Sequence, residues 1–232
     1  MEMHARTDAF RKDRARVYRC IALEKIGWLQ HGFGTRDCPG WPPADWRLVS
    51  LRQVHSDRII VVAETETGCA GEGDALITAS AGRLLAVRTA DCLPMLMAAP
   101  QRRVVAAAHA GWRGTAAGIA GKVVERLRAE FGVEAAELIV AIGPGIGPCC
   151  YQVGRDVADR FPGFAVGWHA RPGVVKLDLA GVNRHQLEAA GVRPQNIYTG
   201  APCTCCHPAD FHSYRREPAD RGRMVSAIGI RR

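Results

Sequence analysis

Between Arg58 and Ala110 the chain passes through five short apolar runs, each bounded by turn residues, and this rhythm restricts the fold more than any other feature. RIIVVAE (58–64), DALITA (74–79), RLLAVRTA (83–90), LPMLMAA (93–99) and RRVVAAAHA (102–110) are rich in Val, Ile, Leu and Ala. Apolar runs this short fit buried strands better than helices. Pro94 lacks a backbone donor, so it belongs at the first position of its strand.

The period then changes. In GTAAGIAGKVVERLRAEFG (114–132), Ile119, Val123, Leu127 and Phe131 recur four apart, which predicts one amphipathic helix opened near Thr115 and closed by Gly132. ELIVAIG (137–143) predicts a further buried strand, followed by the stiff loop GPGIGPCC (143–150). A helix is expected over 154–161, a strand over 174–179, a helix over 179–190 and a late strand over 222–230. About eight strands and three or four helices describe a mixed α/β or α+β domain. The first 20 residues and the stretch Asp37–Trp46 show no regular pattern.

With 232 residues, 47% of them hydrophobic and 23% charged, the chain has enough material for one generous domain, and no linker or low-complexity run divides it. No run approaches the ~18 apolar residues of a membrane span, and the charged N-terminus lacks the apolar centre of a secretory signal. The expected location is therefore the cytoplasm. Nine cysteines, an odd number, then read as metal or catalytic candidates before disulfides.

The formal charge of +8 is compatible with phosphorylated small molecules. Much of it sits on Arg11, Lys12, Arg14, Arg16 and Arg19, read as a solvated basic extension (1–20) ahead of a catalytic domain (21–232). Aromatics make up only 6% of residues, and no recognition helix or zinc-finger spacing occurs, which argues against nucleic acid as partner.

Three ligand-type residues fall at strand ends or beside turns: His55 in LRQVHSD, Cys92 in TADCLP and His109 in AAAHAGWRG. Two imidazoles and a thiolate suit zinc with an open fourth position, although a core histidine and an inert buried cysteine are the competing reading. Arg113 follows a glycine turn that opens a helix, a plausible anion site for phosphate. The segment PCTCCHPADFHSYRRE (202–217) crowds Cys203, Cys205, Cys206, His207 and His212, while Cys149 and Cys150 form another pair. PCTCC matches half of a zinc deaminase signature, but the upstream H-x-E half is missing. These thiols are read as small side chains beside a turn.

In order along the chain, HGFGTRD (31–37), RQVHSD (52–57), GDALIT (73–78), TADCLPMLM (89–97), AAAHAGWRGTAAGI (106–119), IGPGIGPCCYQVG (142–154), DLAGVNRHQLEAAGV (178–192), CTCC (203–206), SYRRE (213–217) and GRMVSAIGI (222–230) resemble the laccase-domain family. That family is also called multicopper polyphenol oxidase-like, purine nucleoside phosphorylase or peptidoglycan editing factor. The resemblance implies a single-domain α+β sandwich of mixed sheets, flanked by helices and resembling a cysteine-hydrolase-like fold. It implies a zinc ion held by His55, Cys92 and His109, and purine nucleoside phosphorylase activity with adenosine deaminase and methylthioadenosine side activities. The Arg of the family's TR motif maps onto Arg36, a candidate substrate or phosphate contact. The segment from Asp37 to Leu51 is shorter than in family members, so substrate contacts made there are missing or replaced.

Nucleoside and phosphate are then the expected small-molecule partners. Asp91, beside Cys92, is a candidate to transfer protons or to orient a ligand. Copper oxidation is the weaker reading: Met95 or Met97 would complete a blue-copper set, but eight histidines without H-x-H do not build a multicopper centre. A third reading makes Cys92 a nucleophile with His109 as base, acting on an amide such as a cell-wall precursor peptide.

Overall fold

The computed structural model describes residues 9–167 and 175–232. Two large mixed sheets dominate it. The first runs, in spatial order, β1 (Phe10–Lys12), β2 (Tyr18–Cys20), β3 (Leu29–Phe33), β16 (Met224–Ile230), β8 (Arg83–Thr89), β4 (Arg47–Arg52) and β6 (Gly68–Glu72). The second runs β15 (Ile197–Tyr198), β11 (Ile139–Ile142), β9 (Leu93–Ala99), β10 (Val104–Ala110), β7 (Ala75–Thr78) and β5 (Ile59–Val61). A small third sheet joins β12 (Gln152–Val153), β14 (Val175–Leu177) and β13 (Ala165–Gly167). Pairings are antiparallel except β4 with β6 and β8, β5 with β7, and β11 with β15. The helices are α1 (Ile21–Glu24), α2 (Trp112–Ala116), α3 (Ile119–Phe131), α4 (Arg155–Ala158) and α5 (Leu179–Ala189).

The unbroken apolar runs of β9 and β10 follow from their position: every residue of both is buried, because the second sheet is covered on both faces. On one face Leu76, Leu96, Val105 and Ala107 share a core with Phe33, Val49, Leu85 and Ile228 of the first sheet. On the other, Met95, Met97, Ala106 and Ala108 meet Ile119, Val123 and Leu127 of α3, with Val182 and Leu187 of α5. Burying a side chain such as Val123 or Leu127 contributes about 2 kcal/mol. The alanines of β10 let α3 lie close to the sheet.

Several expectations need correction. The single helix drawn from Thr115 to Gly132 is two, because Gly118 takes a left-handed backbone (φ +82°) and breaks the ladder between α2 and α3. Gly132 does close α3. Only Arg155–Ala158 of 154–161 is helical. In the predicted 174–179 strand, Val174 lies outside the described residues, and β14 covers Val175–Leu177.

The described part of the basic N-terminus is no solvated tail. Strands β1 and β2 pair into the first sheet. Lys12 and Tyr18 both donate to Asp210, at 2.9 and 2.8 Å, while Arg16 bridges to Asp37 and Arg19 to Asp13. The stretch Asp37–Trp46 holds no regular element, as expected. Its Trp41 and Trp46 cover Leu84, Ala86 and Ala227 on the outer face of the first sheet.

Candidate active site

One buried carboxylate organises the site. Asp74, at the entrance to β7, is fully buried and accepts hydrogen bonds from three successive backbone N–H groups, those of Val54 (3.3 Å), His55 (3.1 Å) and Ser56 (2.6 Å). The Ser56 hydroxyl adds a fourth at 2.8 Å. This folds the chain after β4 into a tight turn, in which His55 adopts φ +58°, a left-handed conformation that histidine tolerates better than most residues. Asp74 Oδ1 also lies 2.8 Å from Nδ1 of His109, and the Asp74 carbonyl accepts the His109 N–H at 2.7 Å. Burial pushes the Asp74 carboxyl up, but the hydrogen bonds from His109 and Ser56 outweigh it and hold the group down at about 2. An ionised carboxylate only accepts, so Nδ1 of His109 carries the proton and Nε2 faces the cleft.

Cys92 stands in the turn between β8 and β9. Its Sγ lies 3.9 Å from His55 Nε2, and the two imidazoles meet edge to face with centroids 4.8 Å apart. Ligand atoms of His55, Cys92 and His109 all lie within 4.8 Å of one another, so the structure brings together the three residues named from the sequence. Burial raises the Cys92 thiol, but hydrogen bonds from His109 and His55 and their positive charge bring it to about 6. Burial lowers His109, and its bonds to Asp74 and Cys92 raise it to about 9. Each partner favours the charged form of the other, the thiol shifted towards thiolate and the imidazole towards imidazolium.

Gly111 leaves the space for this cluster. A Cβ there would sit 2.9 Å from Cys92 Sγ and 3.0 Å from the His55 ring.

The cluster opens into a cleft of about 590 Å³. Its walls include Gln53, Trp112, Tyr151 and Tyr214, and four arginines, Arg88, Arg113, Arg215 and Arg223. Arg113 is exposed, with its guanidinium 4.4 Å from the Trp112 ring centre. Helix α2 beside it is only five residues long, so the side-chain charge, more than a helix dipole, makes this wall attractive to anions. Arg215 lies 5.5 Å from the Tyr151 ring and donates to the Gln152 carbonyl at 2.7 Å.

Two candidates change role. Asp91, with φ +84°, lines the cleft, but both carboxylate oxygens are engaged away from the ligand trio. Oδ1 accepts from Thr204 Oγ1 and Oδ2 from the Arg215 N–H, each at 2.7 Å. It anchors the C-terminal segment, and the carboxylate that contacts the trio is Asp74. Arg36 is exposed, donates to the Pro208 carbonyl at 3.0 Å and is not among the residues lining the cleft. Met95 and Met97, the methionines weighed as copper ligands, are fully buried in the core beneath α3.

Asp74 and the arginines 88, 215 and 223 escaped the sequence reading. An aspartate after glycine at the head of an apolar run looks like an ordinary turn residue, although GDALIT was already part of the recognised pattern. The arginines come from segments far apart in sequence, which only the fold gathers.

Residues 38–231 match the family model described as multi-copper polyphenol oxidoreductase laccase. Purine nucleoside phosphorylase YlmD of Geobacillus stearothermophilus is 41% identical over 199 residues, covering 80% of this chain and 73% of that protein. Adenosine deaminase RL5, from an unknown prokaryotic organism, is 36% identical over 195 residues, covering 78% of this chain and 74% of its own. The crystal structure of YlmD superposes with a TM-score of 0.86 at 34% identity, covering 97% of this chain and all of that one. The chain belongs to the multi-copper polyphenol oxidoreductase laccase family, and its mixed α+β fold, with few helices flanking the sheets, is that of YlmD.

Proposed function

We propose that the protein is a zinc-dependent purine nucleoside phosphorylase, acting on adenosine and inosine, with adenosine deaminase as a side activity. The observation that carries the metal is the donor set: one thiolate and two imidazole nitrogens within 4.8 Å, with Asp74 behind His109 and Gly111 leaving room for them. His55, Cys92 and His109 would hold the ion. When bound, zinc supplies a Lewis acid that polarises a substrate oxygen or lowers the pKa of water.

The chain's own residues do the rest. In phosphorolysis a phosphate oxygen bonds to C1′ of the ribose, the bond from C1′ to the purine nitrogen breaks, and free base and ribose 1-phosphate leave. Arg113, with Arg88, Arg215 and Arg223, supplies planar, permanently charged donors for phosphate. Trp112 and Tyr214 offer aromatic surface to the purine. Burial pushes the Tyr151 phenol up to about 12, so its hydroxyl keeps its proton at neutral pH and is available to hydrogen-bond the departing base.

The same reading takes the chain as a single catalytic domain with the cysteine-hydrolase-like sandwich implied by the family, working in the cytoplasm. Among the described residues no helix is long and apolar enough to cross a membrane, and all nine cysteines are free thiols. The test is chromatography of inosine or adenosine incubated with zinc-loaded protein, with and without phosphate. Free base and ribose 1-phosphate are expected with phosphate, and some inosine from adenosine without it. If no nucleoside is consumed while metal-free protein hydrolyses an amide, the thiolate–imidazolium pair is a cysteine hydrolase and the proposal fails.

A further inference from the structure

Outside the cleft, the thiols of Cys149, Cys150, Cys203 and Cys206 converge. Their sulfur atoms all lie within 4.8 Å of one another, with Cys206 at 3.5 Å from Cys149 and 3.3 Å from Cys150. Four sulfurs at ~2.3 Å from a tetrahedral zinc would stand about 3.8 Å apart, so a change of at most about 1 Å in any sulfur–sulfur distance closes the site. We propose that these four cysteines hold a second zinc ion as a closed tetrathiolate that joins the loop after β11 to the C-terminal segment.

Three observations carry this further than proximity. Cys203 and Cys206 have the C-x-x-C spacing of a zinc knuckle, and the vicinal pair Cys149–Cys150 supplies the other half. The backbone already holds one of the sulfurs in place: the Gly147 N–H donates to Cys203 Sγ at 3.2 Å. Cations lie beside it, Lys176 donating to the Cys149 carbonyl at 2.6 Å and Arg216 to the Cys205 carbonyl at 3.1 Å. They offset the double negative charge left when zinc binds and four thiol protons pass to solvent.

All four are free thiols, with no sulfur–sulfur bond among them. With all four positions filled by protein, the ion has no open position for substrate. Its effect is mechanical: one of the joined segments carries Ile146 and Tyr151, the other Tyr214 and Arg215, and all four line the cleft.

The deciding experiment uses Cys92→Ala, which removes the thiolate of the cleft trio, so the result is independent of nucleoside chemistry. Titrated with cobalt alone, this variant should bind about one equivalent, with sulfur-to-cobalt charge-transfer bands and tetrahedral d–d absorption that zinc then bleaches. Alkylation mapped by mass spectrometry should show the four cysteines protected by zinc, and Cys206→Ser should lose the cobalt spectrum. Should Cys206→Ser fail to fold, the alkylation map on the intact sulfur set decides. No cobalt bound by Cys92→Ala, equal alkylation with and without zinc, or a Cys150–Cys206 disulfide in protein kept reduced would each overturn the proposal.

Discussion

The trio at His55, Cys92 and His109 and the quartet at Cys149, Cys150, Cys203 and Cys206 each bring their ligand atoms within 4.8 Å, yet their surroundings differ. The trio mixes nitrogen with sulfur, is backed by a fully buried carboxylate and opens into a cleft walled by arginine and aromatic rings. The quartet is all sulfur and is backed by backbone N–H groups and carbonyl-bound cations. Proximity of ligands therefore says little about purpose. What distinguishes the two is the cleft onto which the trio opens and the charge behind the ligands.

The sharpest break in this contrast should come from Cys92→Ala. It should strip the cleft of its metal and take phosphorolysis to the assay background, with protein stability nearly kept, because the thiolate belongs to the site rather than the core. Metal content, initial rate and thermal melting measured together check this. Retained activity would show that the cleft chemistry needs no thiolate ligand.

Asp74→Asn comes next. The amide keeps the size but loses the charge that fixes the His109 tautomer and gathers residues 54–56. Metal affinity at the cleft should fall about 10- to 100-fold. The backbone N–H groups left with a poorer acceptor should cost on the order of 2 kcal/mol of stability. Competition with a chromophoric chelator reads the first effect and denaturant unfolding the second, and unchanged affinity would return the orienting role to another residue.

Acid loss of metal must be separated from acid loss of the fold, and His31 allows it. Burial, helped by the charge of Arg19, holds this imidazole down at about 3, and its Nε2 accepts the Cys20 N–H at 3.0 Å. The native state keeps His31 neutral while the unfolded chain takes up a proton below the ordinary value of 6.5. Stability from this residue is thus complete above 6.5 and falls by roughly 1.4 kcal/mol per pH unit until the pH passes about 3. In metal-free protein His31→Gln should flatten that slope, as followed by urea unfolding at several pH values. An unchanged slope would place the acid sensitivity elsewhere.

The smallest effect is expected at the cleft wall. Arg113→Lys keeps the charge but loses the planar fork, and should raise KM for phosphate several-fold, or about 1 kcal/mol. Arg128→Lys, on the exposed side of α3, should leave it unchanged. Equal responses would make Arg113 a surface residue like any other.

What could be read in the sequence, and what could not, follows the same physical divide. The strands β7 to β11 were legible because burial on both faces leaves unbroken apolar runs. Strands β3 and β6, which contain glycine, and the charged three-residue β1 carry no such signal and are held by neighbours rather than by their own pattern. The ligand trio was legible through residue chemistry and motif. Asp74 was not, since its role depends on the second-sheet register that sets it beside His109. The quartet was hidden by its spacing, a vicinal pair opposite one C-x-x-C in place of two separated C-x-x-C pairs.

Strand β16 ends the chain's path but occupies the middle of the first sheet, with β3 on one side and β8 on the other, so that Ser226 pairs with both Phe33 and Val87. Until it inserts, β3 and β8 each present one bare edge of N–H and C=O groups to the other. Assembly is therefore late and non-local, the regime in which folding is slow and unpaired edges invite other chains. A fragment stopping before Met224 would be missing its keystone, and its expected fate is clumping rather than a smaller working enzyme.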